Sequence, residues 1–290
     1  MLDALRGLAW PARHVVRTGA TGTHQSRVRG PAPEFSEYRA FRQGDDPRRL
    51  DWKLLARTNR AYLRLTEDRA TLATMLILDA SPSMDFPASG RSKWTAAAEI
   101  AVGLAQVAHQ ASDPIGVLVP GVERGLLPPR TRRMVVSDIT ALLGQVHAGM
   151  RVGTLAPRPS HLAPFLTLVR VHAGRLPSRV VFLSDFLDDD GTVPSLVSAH
   201  VASGGEVHAV RMIAREELDL PSRGFTAVDP EDDGVARPFA PGARDGYLER
   251  FRAWGDDVAA RWRQAGAFWT DVVSDELPVA AVRRVVGAGT

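Results

Sequence analysis

The 290-residue chain contains no cysteine. Disulfide frameworks, thiolate metal centres and cysteine nucleophiles are therefore excluded. Long apolar runs are also missing, since Met75–Leu78 and Val180–Leu183 are far shorter than the ~20 residues that a membrane-spanning helix needs. Lysine is scarce as well, because Lys53 and Lys93 are the only two among 36 Lys and Arg residues. This bias towards arginine indicates the base composition of the gene rather than a functional device.

The N-terminal residues 1–17 do not have the layout of a cleavable signal sequence. Asp3 and Arg6 interrupt the apolar part, and Pro11 ends it. The spacing of the leucines and Trp10 instead predicts a short amphipathic helix. So short a helix favours packing on its own domain over lying on a membrane surface. We therefore expect a cytoplasmic protein, with membrane contact as the less favoured alternative.

The formal net charge of +3 is too small to indicate nucleic-acid binding, but it is unevenly distributed. Residues 1–70 contain 14 Lys and Arg against 8 Asp and Glu, whereas residues 71–290 carry a net charge of −3. The N-terminal arginines are interleaved with acids, which weakens any field that would attract phosphates. We expect no nucleic-acid partner.

Composition divides the chain near residue 70. Residues 1–70 contain the N-terminal helix and a segment rich in Gly, Pro, Arg and carboxylates, in which short strands are predicted between tight turns. The aromatic side chains of this segment need burial. We therefore expect an N-terminal β-rich arm packed against a main domain formed by residues 71–290.

The main domain alternates short apolar strands with longer helices. This alternation predicts an α/β fold with a mostly parallel sheet and helices on both faces. The predicted strands are Met75–Leu78, Ile115–Val119, Gly125–Leu127, Arg179–Leu183, Glu206–Met212 and Phe268–Val273, and the predicted helices are Lys93–Gln110, Ser137–His147, Leu162–His172, Val193–Ser203, Arg244–Gln264 and Leu277–Val286. Ligands of such sheets bind beyond the carboxyl ends of the strands, where Asp79 and Asp185 lie.

A possible metal site begins directly after the first of these strands. Asp79, Ser81 and Ser83 alternate along the chain, so an extended loop directs all three oxygen-bearing side chains to one side. Oxygen ligands are those that Mg²⁺ prefers. Thr154, just before a predicted helix, and Asp185 are candidates for the remaining ligands.

These five ligands predict a site for Mg²⁺ or another divalent cation such as Mn²⁺ or Ca²⁺. Two carboxylates nearly neutralise the ion, which stays electrophilic if one coordination position is open. A carboxylate from a partner protein would fill that position. The bland alternative is a turn in which the serines only cap the following helix.

The motifs resemble two known patterns. Asp-x-Ser-x-Ser at Asp79–Ser83, with the distant Thr154 and Asp185, is similar to the metal-ion-dependent adhesion site (MIDAS) of von Willebrand factor A domains. The stretches Gly19–His24, Glu34–Arg39, Gly44–Trp52, Ala56–Arg57 and Leu78–Met84, with Gly153-Thr154 and Leu183–Phe186, resemble the family called domain of unknown function 58.

This resemblance implies a von Willebrand factor A-like (Rossmann-like) domain acting beside a MoxR-type AAA+ ATPase. The ATPase or its client would present the carboxylate, and the chain would serve as an adaptor or chaperone component. The charged string Asp45, Asp46, Arg48, Arg49 and Asp51 either contacts this partner or forms an internal network of ion pairs and turns.

The rival expectation is an enzyme, a Mg²⁺-dependent phosphohydrolase with Asp79 as nucleophile. Such enzymes need a second carboxylate as general acid two residues later, where this chain has Ser81. The sequence also has no Gly-x-x-x-x-Gly-Lys phosphate loop and no Gly-x-Ser-x-Gly motif. We therefore expect a protein that is not an enzyme and has no catalytic residues.

Overall fold

The computed structural model describes most of the chain and all of the central sheet. The described ranges are residues 1–12, 21–25, 37–42, 50–65, 69–152, 177–187, 192–221, 223–228 and 236–288. The predicted helix at Leu162–His172 lies outside these ranges. The strands within them are β1 Thr21–Gln25, β2 Glu37–Ala40, β3 Tyr62–Leu65, β4 Arg69–Ala70, β5 Thr74–Leu78, β6 Ile115–Leu118, β7 Leu126–Arg130, β8 Arg179–Ser184, β9 Glu206–Ile213, β10 Phe225–Val228, β11 Ala236–Phe239 and β12 Phe268–Val273.

The α-helices of the described ranges are α1 Trp52–Thr58, α2 Lys93–Gln110, α3 Val135–Val152, α4 Thr192–Ala202, α5 Arg215–Leu218, α6 Arg244–Gln264 and α7 Pro278–Gly287. Five of them, α2, α3, α4, α6 and α7, agree closely with the sequence predictions for residues 71–290, whereas the short α5 was not predicted. Helix α3 is longer at both ends than the predicted Ser137–His147. Helix α2 has the predicted bounds and the predicted cap, since Ser92 Oγ accepts a hydrogen bond from Thr95 N at 3.2 Å.

The central sheet is mixed and mostly parallel, in the order β12-β9-β8-β5-β6-β7. Only β7 runs antiparallel to its neighbour among these six strands. Strands β5, β8 and β9 are buried along their whole length. Strands covered on both faces read as continuous apolar runs, which is why the sequence predicted them.

Helices cover both faces of this sheet. One hydrophobic core lies between the sheet and helices α2, α3 and α7. The second lies on the opposite face, under α4 and α6, and includes Phe182, Phe186 and Trp262. Gly103 of α2 lets the helix approach its neighbours closely, because an added Cβ would lie 2.7 Å from Val282 Cγ2. The α/β fold with helices on both faces is thus confirmed.

The N-terminal segment packs on the main domain, as expected. A single 3₁₀ turn, Leu2–Leu5, replaces the predicted amphipathic helix, and Leu5 and Trp10 are buried in the core of α2 and α7. The guanidinium of Arg179 lies 4.0 Å from the centroid of the Trp10 ring. Its Nη2 donates to the carbonyl oxygen of Pro11 at 2.9 Å.

Arg179 also belongs to a buried ion cluster at the amino ends of β8 and β9. Its Nε donates to Glu206 Oε1 at 2.9 Å, and His208 Nε2 lies 2.7 Å from the same oxygen. Burial alone would raise the pKa of Glu206, but the hydrogen bond with His208 and the charge of Arg179 outweigh it and lower that pKa to about 2. The cluster therefore holds a charged carboxylate and joins two strands to residues 10–11.

The described part of the arm contains short strands and also a helix. Strand β2 pairs antiparallel with β3, and β1 pairs antiparallel with β4. Helix α1 between them was missed, because it is only seven residues long and none of its residues is buried. The carboxylate of Asp51 caps this helix by accepting a hydrogen bond from Leu54 N at 2.9 Å.

A second element absent from the sequence prediction is the antiparallel hairpin β10–β11. Most of its residues are exposed, so they have no buried face to mark them as strands. Phe225 stacks on Phe239 with ring centroids 4.7 Å apart, and Phe239 meets Tyr247 of α6 edge-on at 5.8 Å. These ring contacts hold the hairpin against the start of α6.

Candidate metal centre

The loop after β5 brings three oxygen-bearing side chains together. Asp79 Oδ1 accepts a hydrogen bond from Ser81 N at 2.8 Å, and the hydroxyls of Ser81 and Ser83 are 3.0 Å apart. All three residues are at most 3% exposed. Pro82 begins a 3₁₀ turn, Pro82–Asp85, whose fixed φ stiffens the segment between the serines. The two hydroxyls are thus close together, but Ser83 lies in a 3₁₀ turn and not in the extended loop that the sequence predicted.

The carboxyl end of β8 lies directly beside this loop. Strands β5 and β8 are parallel neighbours, and Asp79 N donates to Leu183 O at 2.9 Å. Ser184 Oγ donates to Asp79 Oδ2 at 2.6 Å. Both oxygens of the Asp79 carboxylate therefore accept hydrogen bonds, one from its own loop and one from the neighbouring strand.

The turn after β8 is held in a strained backbone conformation. Phe186 has φ +60°, a left-handed value that is unfavourable for a bulky side chain by about 1–3 kcal/mol. Its ring is buried, with centroids 4.9 Å from those of Trp262 and Trp269. Packing of these rings maintains the turn, which places Asp185 at the edge of the sheet.

Asp185 is engaged by a buried lysine. Lys93 Nζ, at the first position of α2, lies 2.8 Å from Asp185 Oδ2 and 2.9 Å from Glu217 Oε1. The side chain of Lys93 is 1% exposed, and those of Asp185 and Glu217 are 5% and 16% exposed. Glu217 belongs to α5, and its second oxygen accepts from Ala214 N at 2.7 Å.

The ammonium of Lys93 is held in its charged form. Burial alone would lower the pKa of Lys93, but the charges and hydrogen bonds of Asp185 and Glu217 outweigh burial and raise it. A lysine ammonium is a compact charge on a flexible stem, so it fits between two carboxylates. This cluster joins α2, the turn after β8 and α5 next to the Asp79 loop.

The residues of the Asp79 loop fit a hard divalent cation. Asp79, Ser81 and Ser83 present only oxygen donors, and Asp85 has a buried carboxylate oxygen, Oδ1, without a hydrogen-bond partner. Across the described ranges, no three His, Cys, Asp or Glu side chains form a group that could hold a metal ion. A centre made of one carboxylate and hydroxyls is not of that type, and Asp185 already has a cation beside it.

Most of the other residues that were predicted for the metal site or the partner contact lie outside the described residues. They are Thr154 and the charged residues Asp45, Asp46, Arg48 and Arg49. Asp51 is described and caps α1. Helix α3 ends at Val152, but the structure does not test Thr154 as a ligand.

Comparison with known proteins identifies the family. The profile of the family described as "Protein of unknown function DUF58" matches residues 37–247, more than half of the chain. The chain belongs to this family. Uncharacterized proteins of Mycobacterium bovis and Mycobacterium tuberculosis are each 28% identical to it over 295 residues, which cover 98% of this chain and 88% of each relative.

Two solved structures are similar to part of this DUF58 chain. A conserved hypothetical protein, BatB from Bacteroides thetaiotaomicron, has a TM-score of 0.48 at 11% identity, covering 74% of this chain and 97% of that one. An aerotolerance-related membrane protein from Bacteroides fragilis has a TM-score of 0.44 at 12% identity, covering 75% and 98%. Similarity at this level does not indicate function. Within the described ranges, no helix of the DUF58 chain has the length and apolar character needed to cross a bilayer.

Sequence reasoning missed three residues at this edge of the sheet. Ser184 contacts Asp79, and Lys93 lies between Asp185 and Glu217. Lys93 offered one signal, since it is one of only two lysines in a chain that otherwise uses arginine. Ser184 and Glu217 offered none, because their partners are 105 and 124 residues away along the chain.

Proposed function

We propose that this DUF58 chain is a non-catalytic, metal-dependent protein-binding module. It acts in the cytoplasm as an adaptor or chaperone component beside a MoxR-type AAA+ ATPase. The partner, the ATPase or its client, presents a carboxylate to a Mg²⁺, Mn²⁺ or Ca²⁺ ion. The family resemblance of the sequence supports this choice of partner.

The observation that carries the proposal is the Asp79 loop, in which Ser81 N donates to Asp79 Oδ1 at 2.8 Å and the hydroxyls of Ser81 and Ser83 are 3.0 Å apart. These groups lie at the carboxyl edge of a mostly parallel sheet, where ligands of α/β domains bind. One carboxylate and two neutral oxygens leave a bound divalent ion with excess positive charge. An acidic side chain of a partner is the natural complement to that charge.

Exposed apolar side chains on the loops at this edge support a protein partner. Phe86 follows β5, Leu187 follows β8 and Leu277 follows β12, and all three are at least 41% exposed. Arg91 links the first and third of these loops by donating to Glu276 O at 2.8 Å. Large exposed apolar residues on neighbouring loops are typical of interaction surfaces.

The strand order supports a von Willebrand factor A-like fold as the finer description. In order along the chain, the central strands are β5, β6, β7, β8, β9 and β12. Strands β6 and β7 lie on one side of β5, and β8, β9 and β12 lie on the other, so the strand order reverses between β5 and β8. This is the switch point at which a ligand site is expected in a doubly wound sheet. The Asp79 loop and the turn after β8 occupy it.

The direct test is capture of a purified MoxR-type ATPase from the same organism on the immobilised chain. Capture should require Mg²⁺, be lost in EDTA and fall at least about tenfold in Ser81→Ala, since a tenfold loss corresponds to ~1.4 kcal/mol of a metal ligand's contribution. Ser203→Ala is the matched control, because that hydroxyl donates to His200 O at 2.6 Å near the opposite edge of the sheet.

Two outcomes would contradict the proposal. Capture that persists unchanged in EDTA would show that the metal does not mediate the contact. Turnover of phosphate esters by the wild-type chain, abolished in Asp79→Asn, would instead support the hydrolase that uses Asp79 as nucleophile.

A further inference from the structure

Lys93 is a buried cation at the edge of the candidate metal centre. Its ammonium is within 2.9 Å of two carboxylates, Asp185 and Glu217, and its side chain is 1% exposed. A buried charge of this kind persists only where its partners compensate for the lost hydration. The pair of carboxylates supplies that compensation here.

The same ammonium affects what Asp185 can offer a metal. Asp185 Oδ2 is bound by Lys93, and Asp185 Oδ1 accepts from Leu187 N at 3.2 Å. A divalent ion and an ammonium cannot both have the full charge of one carboxylate. A metal that used Asp185 as a ligand would therefore compete with Lys93 for this carboxylate, and the two cations would repel each other.

We propose that Lys93 is a positioning residue of the metal centre: it competes with the divalent ion for Asp185 and so keeps metal affinity low. This role rests on the proposed metal-dependent function. Its consequence is that a bound ion depends mainly on the Asp79 loop and keeps more of its positive charge for the partner's carboxylate. Glu217 opposes Lys93, because it draws the ammonium towards α5.

A purely structural role for Lys93 predicts the opposite result. If the ion pairs only hold α2, α5 and the turn after β8 together, then breaking them loosens the centre and weakens metal binding. Competition predicts that loss of the ammonium tightens binding, because a repelling charge is removed and Asp185 is released. The sign of the change distinguishes the two roles.

The experiment is calorimetric titration of the full chain with Mn²⁺ and with Mg²⁺. Lys93→Met, which keeps the length of the side chain, should bind at least about tenfold more tightly than wild type, because the lost unit charge is close to a divalent ion. Glu217→Gln should bind severalfold more weakly, because it leaves the ammonium entirely to Asp185. Arg215→Met is the matched control: it removes an exposed cation from the same helix, α5, and should change the affinity less than about twofold, since exposed charges are screened.

The outcomes separate this inference from the proposed function. Metal binding by wild type, with Lys93→Met unchanged or weaker, overturns the role of Lys93 alone. If Lys93→Met does not fold, Lys93→Gln, which also removes the charge but keeps a polar side chain, decides, and unchanged or weaker binding there overturns it. No binding by wild type together with binding by Lys93→Met overturns the metal-dependent function but supports Lys93 as the competing cation. No binding by either overturns both.

Discussion

Two buried ion clusters lie at opposite edges of the same sheet, and they are built around different cations. At the amino edge, Arg179 binds Glu206, lies over the Trp10 ring and donates to a backbone carbonyl. At the carboxyl edge, Lys93 lies between Asp185 and Glu217. Both cations are almost completely buried.

The difference between the clusters lies in the groups that each cation binds. The planar guanidinium of Arg179 donates hydrogen bonds in several fixed directions, and two of them go to the backbone carbonyls of residues 10 and 11. The ammonium of Lys93 is a point charge on a flexible stem. Within the described residues, it donates hydrogen bonds to the side chains of Asp185 and Glu217. The first arrangement suits a permanent structural joint, whereas the second suits a charge that shifts when another cation arrives.

The largest expected effect comes from breaking the amino-edge cluster. Arg179→Met leaves Glu206 as a buried carboxylate without its cation and removes the hydrogen bonds to residues 10–11. We expect the free energy of unfolding to fall by about 3–5 kcal/mol. Urea denaturation at neutral pH without metal measures this change.

Arg215→Met is the control for loss of a cation in an ion pair. Its partner Asp275 and Arg215 itself are both about half exposed, so the loss should be far smaller than in Arg179→Met. Equal losses in the two variants would show that the amino-edge cluster contributes no more than a surface pair.

Acid should weaken the amino-edge cluster through Glu206. Because the folded-state pKa of Glu206 is lowered from 4.5 to about 2, its contribution is present above pH 4.5 and is lost as pH falls towards 2. The size of that contribution is about 3 kcal/mol, at ~1.4 kcal/mol for each unit of pKa. Denaturation curves between pH 6 and pH 2 measure it.

Glu206→Gln tests whether that carboxylate is responsible. The variant should be less stable at neutral pH, and its stability should decline less between pH 4.5 and pH 2 than that of wild type. Asp275→Asn is the matched control, because the pKa of this exposed carboxyl is also lowered, by its hydrogen bond with Arg215. A pH profile of Glu206→Gln parallel to wild type would contradict the assignment.

The smallest of the three expected effects is stabilisation by a bound metal ion, which should depend on the carboxyl edge of the sheet and not on the amino edge. Under the proposed function, Mg²⁺ at about 100 times its Kd should raise the free energy of unfolding by about 2.7 kcal/mol. Asp79→Ala should abolish this gain, whereas Arg179→Met, if folded, should retain it. A gain that survives in Asp79→Ala would place the ion elsewhere on the chain.

Local patterns were sufficient to predict much of the main domain. The continuous apolar runs of β5 and β8 reflect burial on both faces, and the bounds of α2 follow from Ser92 as its cap. Helix α1 and the hairpin β10–β11 were missed because they are largely exposed. Without a buried face, neither has the periodicity on which sequence interpretation depends.

The same reasoning explains which part of the candidate site was visible. Asp79, Ser81 and Ser83 are neighbours in sequence, so one short loop is enough to bring them close together. The cluster of Lys93 with Asp185 and Glu217 joins residues 92 and 124 positions apart. No local rule pairs such residues, because the pairing depends on how strands and helices pack.

The sequence by itself determined the strands of the sheet, the oxygen donors of the Asp79 loop and the family. The strands and the oxygen donors follow from the chemistry of adjacent residues, whose spacing is set by the backbone. The family follows from the resemblance of the sequence motifs. Only the tertiary structure decided that the ammonium of Lys93 binds Asp185, which the sequence predicted as a metal ligand. That outcome depends on the position of α2 and α5 over the sheet, because charges attract through space regardless of their separation along the chain.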